Sequence, residues 1–303
     1  MLRAMRVCSA FAGLFLLGGC NQIFGLEPPG SGGDDDVPPI DARDGDGGGL
    51  GTFDSPVPVE VAAQPGINED DPAITPDGQE LYFAAVSGGD EDIMVAQAEG
   101  PTWDNASISP LSSMIFADGG VRFLVPATSP GDLAVYFASN RPGGGALHIH
   151  SALRTKSTTW SIPVLEPNLN SASEDSVAAP CKQGSLFVVA TTRGGVSSDL
   201  YEIAGDGSTR RIDAANTAND ETGPFITEDC LRLYYASNSR GTFDIYMISR
   251  DAVTSAWGNP VLLEELSTTD QQEGDPWLSA DERHILFAAT RGGPDFDIVE
   301  AFR

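Results

Sequence analysis

The sequence is short of bases, histidine and cysteine. Its 303 residues carry 17 Lys and Arg against 44 Asp and Glu, a formal charge of −27. Such a surface repels phosphate backbones, so nucleic acid is not an expected partner. A Ser-His-Asp triad would need His148, His150 or His284, each on or beside an expected strand, and no G-x-S-x-G elbow occurs. No apolar run is long enough for a comfortable transmembrane helix. The stretch DARDGDGGG (41–49) lacks the alternating ligands and closing Glu of an EF-hand, so no calcium site is assigned there. Gly (34) and Pro (21) are plentiful instead, and the 41% hydrophobic content is broken into short runs. Together these favour an all-β chain full of turns, large enough for a packed core.

The first twenty residues hold Arg3 and Arg6, then VCSAFAGLFLLGG (7–19), then Cys20. A basic start followed by a short apolar stretch reads as an export signal. Leu17-Gly18-Gly19-Cys20 resembles the lipobox of bacterial lipoproteins. The resemblance implies that residues 1–19 are a signal peptide and that Cys20 carries a lipid, the chain's only hold on a membrane. Asn21, rather than Asp, after the cysteine implies sorting to the outer membrane, on either face of it. Residues 20–52 contain PPGSGGDDDVPPIDARDGDGGG and bury too little to offset their ordering entropy. They read as a self-repelling tether. Cys181 and Cys230 are then the cysteines left to face an oxidising compartment.

Residues 53–303 repeat themselves. The repeated strand reads LYFAAVSGG (81–89), VYFASNRPGG (135–144), LFVVATTRGG (186–195), LYYASNSRG (233–241) and ILFAATRGG (285–293). Phe83, Phe137, Val188, Tyr235 and Phe287, taken as equivalent, lie about 50 residues apart, the period of a β-propeller. Eleven residues before them stand Pro72, Pro126, Val177, Pro224 and Pro276. A third strand opens with Asp in DIMV (92–95), DLYEI (199–203), DIYMI (244–248) and DIVEA (297–301); the second unit has LHIH (147–150). A fourth strand follows tryptophan in WSIPVL (160–165) and WGNPVLL (257–263). Trp103 opens a weaker copy, and the third unit offers only TRRIDA (209–214). Each unit is thus a four-stranded antiparallel meander. The pattern resembles the WD40-like repeats of TolB-type propellers and covers almost the whole mature chain. By analogy the resemblance implies a binding module whose partner is another envelope protein. The repeat itself is scaffold and says little about function.

The fifth unit lacks its aromatic-x-x-Pro-Val strand, and FDSPVPVEV (53–61) supplies that pattern. The stretch from Pro56 to Pro72 is as long as that from Pro260 to Pro276. Residues 53–62 are therefore expected to complete the last blade and close a five-bladed ring. Closure removes the free edge through which sheets aggregate, and such a ring reads as a monomer.

Glu69, Glu174, Glu221 and Glu273 precede the repeat-proline position by three residues; Phe123 holds the fifth slot. This connection reaches one mouth of the channel, where four carboxylates could take a cation or a basic group. The plainer account is that each pairs with an arginine or caps a turn. Trp277, beside the mouth, could stack a sugar or simply pack. Arg141, Arg193, Arg240 and Arg291 recur after the long strand and are expected to pair with neighbouring carboxylates. His148 and His150 share one strand face without a third ligand, so no metal is assigned. Cys181 and Cys230 fall in turns on one rim, as a bridge or as two thiols. The expected function is a non-enzymatic, cofactor-free binding module. The alternative is a carbohydrate-binding or glycoside-hydrolysing propeller using carboxylates at the channel mouth. Recurrence of the acid with the repeat favours scaffold over catalysis.

Overall fold

The computed structural model describes residues 50–87, 90–100, 102–108, 122–124, 132–140, 145–154, 160–291 and 293–303. Residues 1–49, which hold the expected export signal, Cys20 and nearly all of the expected tether, lie outside them, as do Arg141 and Pro126. Five antiparallel sheets follow one another as the blades of a propeller. Blade one is Asn68–Ile74, Glu80–Ser87 and Asp90–Glu99, with Thr102–Trp103 and Ser107–Ile108 outermost. Blade two is Arg122–Leu124, Leu133–Ser139, His148–Arg154 and Val164–Leu165, and blade three Asp175–Cys181, Leu186–Thr191, Asp199–Ala204 and Thr209–Arg211. Blade four is Glu221–Ile226, Arg232–Ser237, Asp244–Ser249 and Val261–Leu262. Blade five takes Glu273–Leu278, His284–Ala289 and Asp297–Phe302 from one end of the chain and Val57–Pro58 from the other. Among the described residues no helix is long and apolar enough to cross a membrane.

The long strands are apolar on both faces because each blade is covered by two neighbours, so the usual in–out alternation is lost. Tyr234, Ile245 and Met247 of blade four pack on Ile285, Phe287 and Val299 of blade five. A further cluster joins Leu286 and Ile298 of blade five to Leu81 and Phe83 of blade one. Every neighbouring pair of blades shares such a cluster, and the ring is therefore continuous.

Closure follows the expected register. Val57 pairs with Glu300, Val164 with Ser151 and Val261 with Met247, each the fourth residue of its third strand. Arg210 takes the same place in blade three by pairing with Glu202, so TRRIDA carries the outer strand without the aromatic. Asp54 and Phe302 bond in both directions, backbone N–H to carbonyl at 2.8 Å and Phe302 N–H to the Asp54 carboxylate at 2.8 Å.

The repeat proline has a local cause. The inner strands bulge just before it, and Asp71, Gly223 and Asp275 adopt φ of 52°, 55° and 51° there. Proline is tolerated next to such a bulge on an edge strand because no ladder N–H is needed. Gly223 is required as well as permitted, since a Cβ there would stand 2.9 Å from the Asp275 backbone nitrogen.

One recurrence escaped the sequence reading. Arg154, Arg250 and Arg303 each stand six residues after the start of a third strand. Their guanidinium groups lie over the aromatic that opens the fourth strand: Trp160 at 5.0 Å, Trp257 at 4.0 Å and Phe53 at 4.2 Å. Each also reaches the preceding blade: Arg154 to Glu80 and Arg250 to Glu202, both at 2.6 Å, and Arg303 to the Tyr234 hydroxyl at 3.1 Å. The aromatic thus marks a stacked, charge-assisted clamp between blades. A disulfide joins Cys181, at the end of the blade-three inner strand, to Cys230 in a blade-four turn, with Cα atoms 5.6 Å apart.

Candidate functional site

The acids that open the inner strands act on their own blades. Glu221 is fully buried and accepts the Thr217 N–H at 2.9 Å, the Thr217 hydroxyl at 2.7 Å and the Ser237 hydroxyl at 2.8 Å. Glu273 accepts the Thr268 hydroxyl at 2.9 Å and lies 3.7 Å from Arg291; burial raises its pKa. Glu69 is 1% exposed and accepts the Gln64 N–H at 3.2 Å. Burial, and then the charges of Asp297 and Asp295, push its pKa up to about 7. Each carboxylate clasps the loop that brings the chain in from the previous outer strand.

Glu174 does not belong to this set. The buried acid of blade three is Asp175, which accepts the Ser171 N–H at 2.6 Å and Arg193 at 2.8 Å, while Glu174 is exposed. Asp175 pairs with Thr191, as Glu221 pairs with Ser237 and Glu273 with Ala289. The equivalent of Phe287 is therefore Val189, not Val188, and Ala178 stands in the proline position. A one-residue slip on a strand moves a side chain to the other face. Phe123 pairs with Val135, the register of Ile74, Ile226 and Leu278, so its backbone does not occupy the Glu slot.

Trp277 lies away from these acids. It is four residues beyond Glu273 on the same strand, past the bulge at Asp275, and three partner residues away, roughly 10 Å at the usual strand rise. It lines a cavity of about 530 Å³ where the inner strands of blades one, three, four and five end. Phe225, Ile74, Pro180, Leu278 and His284 line it too. Trp277 meets Phe225 edge-on at 6.5 Å and His284 at 6.1 Å, and His284 Nε2 is 2.8 Å from Glu300. Phe225 is not singled out in the sequence, and His284 is weighed there only as a triad member. A signal existed for the first: the residue after the repeat-proline position is Ala73, Ala179, Phe225 or Trp277. Two blades put a ring where the others have a methyl group. The rim turns carry exposed Asp77, Glu228, Asp229 and Asp281. Thr75, Thr227 and Ser279 hydroxyls donate to Asp77, Asp229 and Asp281 at 2.6–2.7 Å, which fixes those turns. The mouth is thus an apolar, aromatic hollow inside an acidic rim, suited to a flat apolar surface carrying positive charge or hydroxyls.

The repeating arginines partner carboxylates where they are described: Arg193 with Asp175, Arg240 with Asp244 at 4.0 Å and Arg291 with Glu273. His150 stacks on Phe137, and His148 Nδ1 is 3.9 Å from Asp175. Among the described residues no group of three or more His, Cys, Asp or Glu is placed to hold a metal ion.

No protein-family model matches the sequence, and no curated protein matches it. Solved structures do resemble the propeller. A thermostable family-43 glycoside hydrolase is 16% identical over 80% of this chain and 91% of its own, with a TM-score of 0.54. An endo-arabinase from Bacteroides thetaiotaomicron VPI-5482 is 13% identical over 84% of this chain and 98% of its own, with a TM-score of 0.55. TolB from Acinetobacter baumannii is 16% identical over 77% of this chain, with a TM-score of 0.45, and this chain spans 54% of that protein. At these identities the likeness is one of fold. It corrects the expectation of a non-enzymatic protein: the glycoside hydrolase and the endo-arabinase share the fold, so the scaffold does not exclude catalysis.

Proposed function

We propose that this chain is an exported lipoprotein, anchored through Cys20 to the bacterial outer membrane, whose propeller binds another envelope protein at the aromatic mouth. The observation behind this reading is the hollow of about 530 Å³ floored by Trp277 and Phe225. Aromatic side chains in a concave site supply large contact area at low entropic cost. The acidic rim favours a partner segment that pairs an apolar side chain with positive charge. Lys182 stands in a rim turn beside the hollow and is exposed, so an amine-reactive crosslinker reports on this mouth in the native envelope. The expected outcome is crosslinks from Lys182 to one recurrent envelope protein. Scattered crosslinks to abundant neighbours would overturn the reading.

A second reading has one observation in its favour. The half-buried Trp277 ring offers a face on which a sugar could stack. In that reading a glycan occupies the same hollow, and glycan titration monitored by tryptophan fluorescence separates it from a protein partner. The buried acids at the start of the inner strands are not part of it.

A further inference from the structure

Blades three and five share a seat for a guanidinium group. Arg193 donates to the Leu169 carbonyl at 2.8 Å and to Asp175 at 2.8 Å. Arg291 donates to the Leu266 carbonyl, lies 3.7 Å from Glu273 and sits over the Phe287 ring at 5.7 Å. In blade five the seat is a buried carboxylate, a carbonyl of the entering loop and the ring of the long strand. Blade one has the corresponding parts in Glu69, the Ala62 carbonyl and Phe83, by the register that aligns Val57 with Val164 and Val261. The arginine is missing. Its position, four residues after Phe83, is Ser87. The other donors are missing too, since Gln64 replaces the threonine or serine and Ala85 stands where blade four has Ser237. Among the described residues, the hydrogen bonds to the Glu69 carboxylate come from the Gln64 backbone.

A cavity of about 420 Å³ opens at this place. Glu69, Phe83, Met94 and Trp103 line it, and Glu60 and Asp104 add negative charge. We propose that blade one is a binding site for a ligand's guanidinium group, which takes the place that Arg193 and Arg291 fill in blades three and five. The planar fork of a guanidinium suits a carboxylate beside a carbonyl, and the aromatic walls suit its face. The raised pKa of Glu69 fits a carboxyl that has been desolvated without a cation. The proposal does not rest on the reading of the aromatic mouth, because the described linings of the two cavities share Trp103 alone.

The test uses the full chain labelled with methyl-13C methionine and follows the Met94 resonance. L-arginine amide, guanidinium ion at non-denaturing concentration, L-lysine amide and an arginine-containing tripeptide are titrated in turn. Arginine amide is expected to shift Met94 and to bind more tightly than lysine amide. Guanidinium ion that binds as well as the tripeptide points to a small free ligand; a tighter tripeptide points to a partner's arginine. Glu69→Gln is expected to weaken binding about tenfold or more through loss of the charge-assisted bonds. Ser87→Arg puts an arginine four residues after Phe83, as Arg291 follows Phe287, and is expected to block binding while raising the melting temperature. No shift with the wild-type chain, or equal binding by wild type and the folded Ser87→Arg chain, would overturn the proposal.

Discussion

Blades five and one are built from the same repeat and fill it differently. Blade five has its arginine clamp over Phe53 and its buried Glu273 held by Thr268 and Arg291. Blade one has Ala98 in the clamp position beside Trp103, and among the described residues its Glu69 accepts hydrogen bonds from the Gln64 backbone alone. The complete blade shows what the recurring residues are for: they tie strand to strand and blade to blade. The incomplete blade shows where the chain has given up such ties, and there a cavity opens. Residues that recur with the period belong to the scaffold, whereas departures from it are where a ligand can enter.

Several changes would break or sharpen this contrast. Deleting residues 53–62 removes the closing strand with Phe53, Val59 and Ala62, all buried, and should cost more than about 5 kcal/mol, abolishing the cooperative thermal transition. An unchanged melting temperature would defeat the closure account. Replacing both Cys181 and Cys230 by serine opens a loop with a sequence separation of 49 and should cost about 4 kcal/mol by chain entropy, read from denaturant midpoints under oxidising conditions. Arg250→Ala strips the fully buried clamp from Glu202, leaving it the more exposed Arg210, and should cost about 3 kcal/mol. Ala98→Gly at the corresponding place in blade one has no clamp to lose and should cost no more than about 1 kcal/mol.

One further effect depends on pH. The folded pKa of Glu69, about 7, lies above its ordinary 4.5, so the folded state holds the proton more tightly than the unfolded chain. Stability from this group is complete below about pH 4.5 and is lost as pH rises through about 7. Glu69→Gln should therefore match the wild type at pH 4 and exceed it by about 1–3 kcal/mol at pH 8. A variant less stable than wild type at pH 8 would show that Glu69 already has a cation.

The fold was legible because the signals are redundant. Five copies of one apolar strand, a recurring proline and the aromatic-x-x-Pro-Val outer strand all point to the same ring, down to the pairing of Val57 with Glu300. Site residues lack that redundancy. In blade three, residues 188 and 189 are both valine, the repeat-proline position holds Ala178, and Glu174 precedes Asp175. Nothing in composition chooses between neighbours that the pleat sends to opposite faces. Trp277 reads as a neighbour of the acids because both fall near the repeat proline; a bulged stretch of strand separates them. The arginine clamps went unread because their partners are aromatics on the next strand and acids on the preceding blade, pairs that only the assembled ring brings together.

The central claim is that the aromatic mouth holds a partner, and its most direct measurement compares Lys182 crosslinking in the native envelope for wild type and Trp277→Ala. Trp277 is half-buried at the hollow, and a matched melting curve would establish that the variant is folded. The expected result is one recurrent envelope protein captured by the wild type and lost, about tenfold or more, by the variant. Equal capture by both chains would contradict the account, because the partner would then be held elsewhere on the propeller.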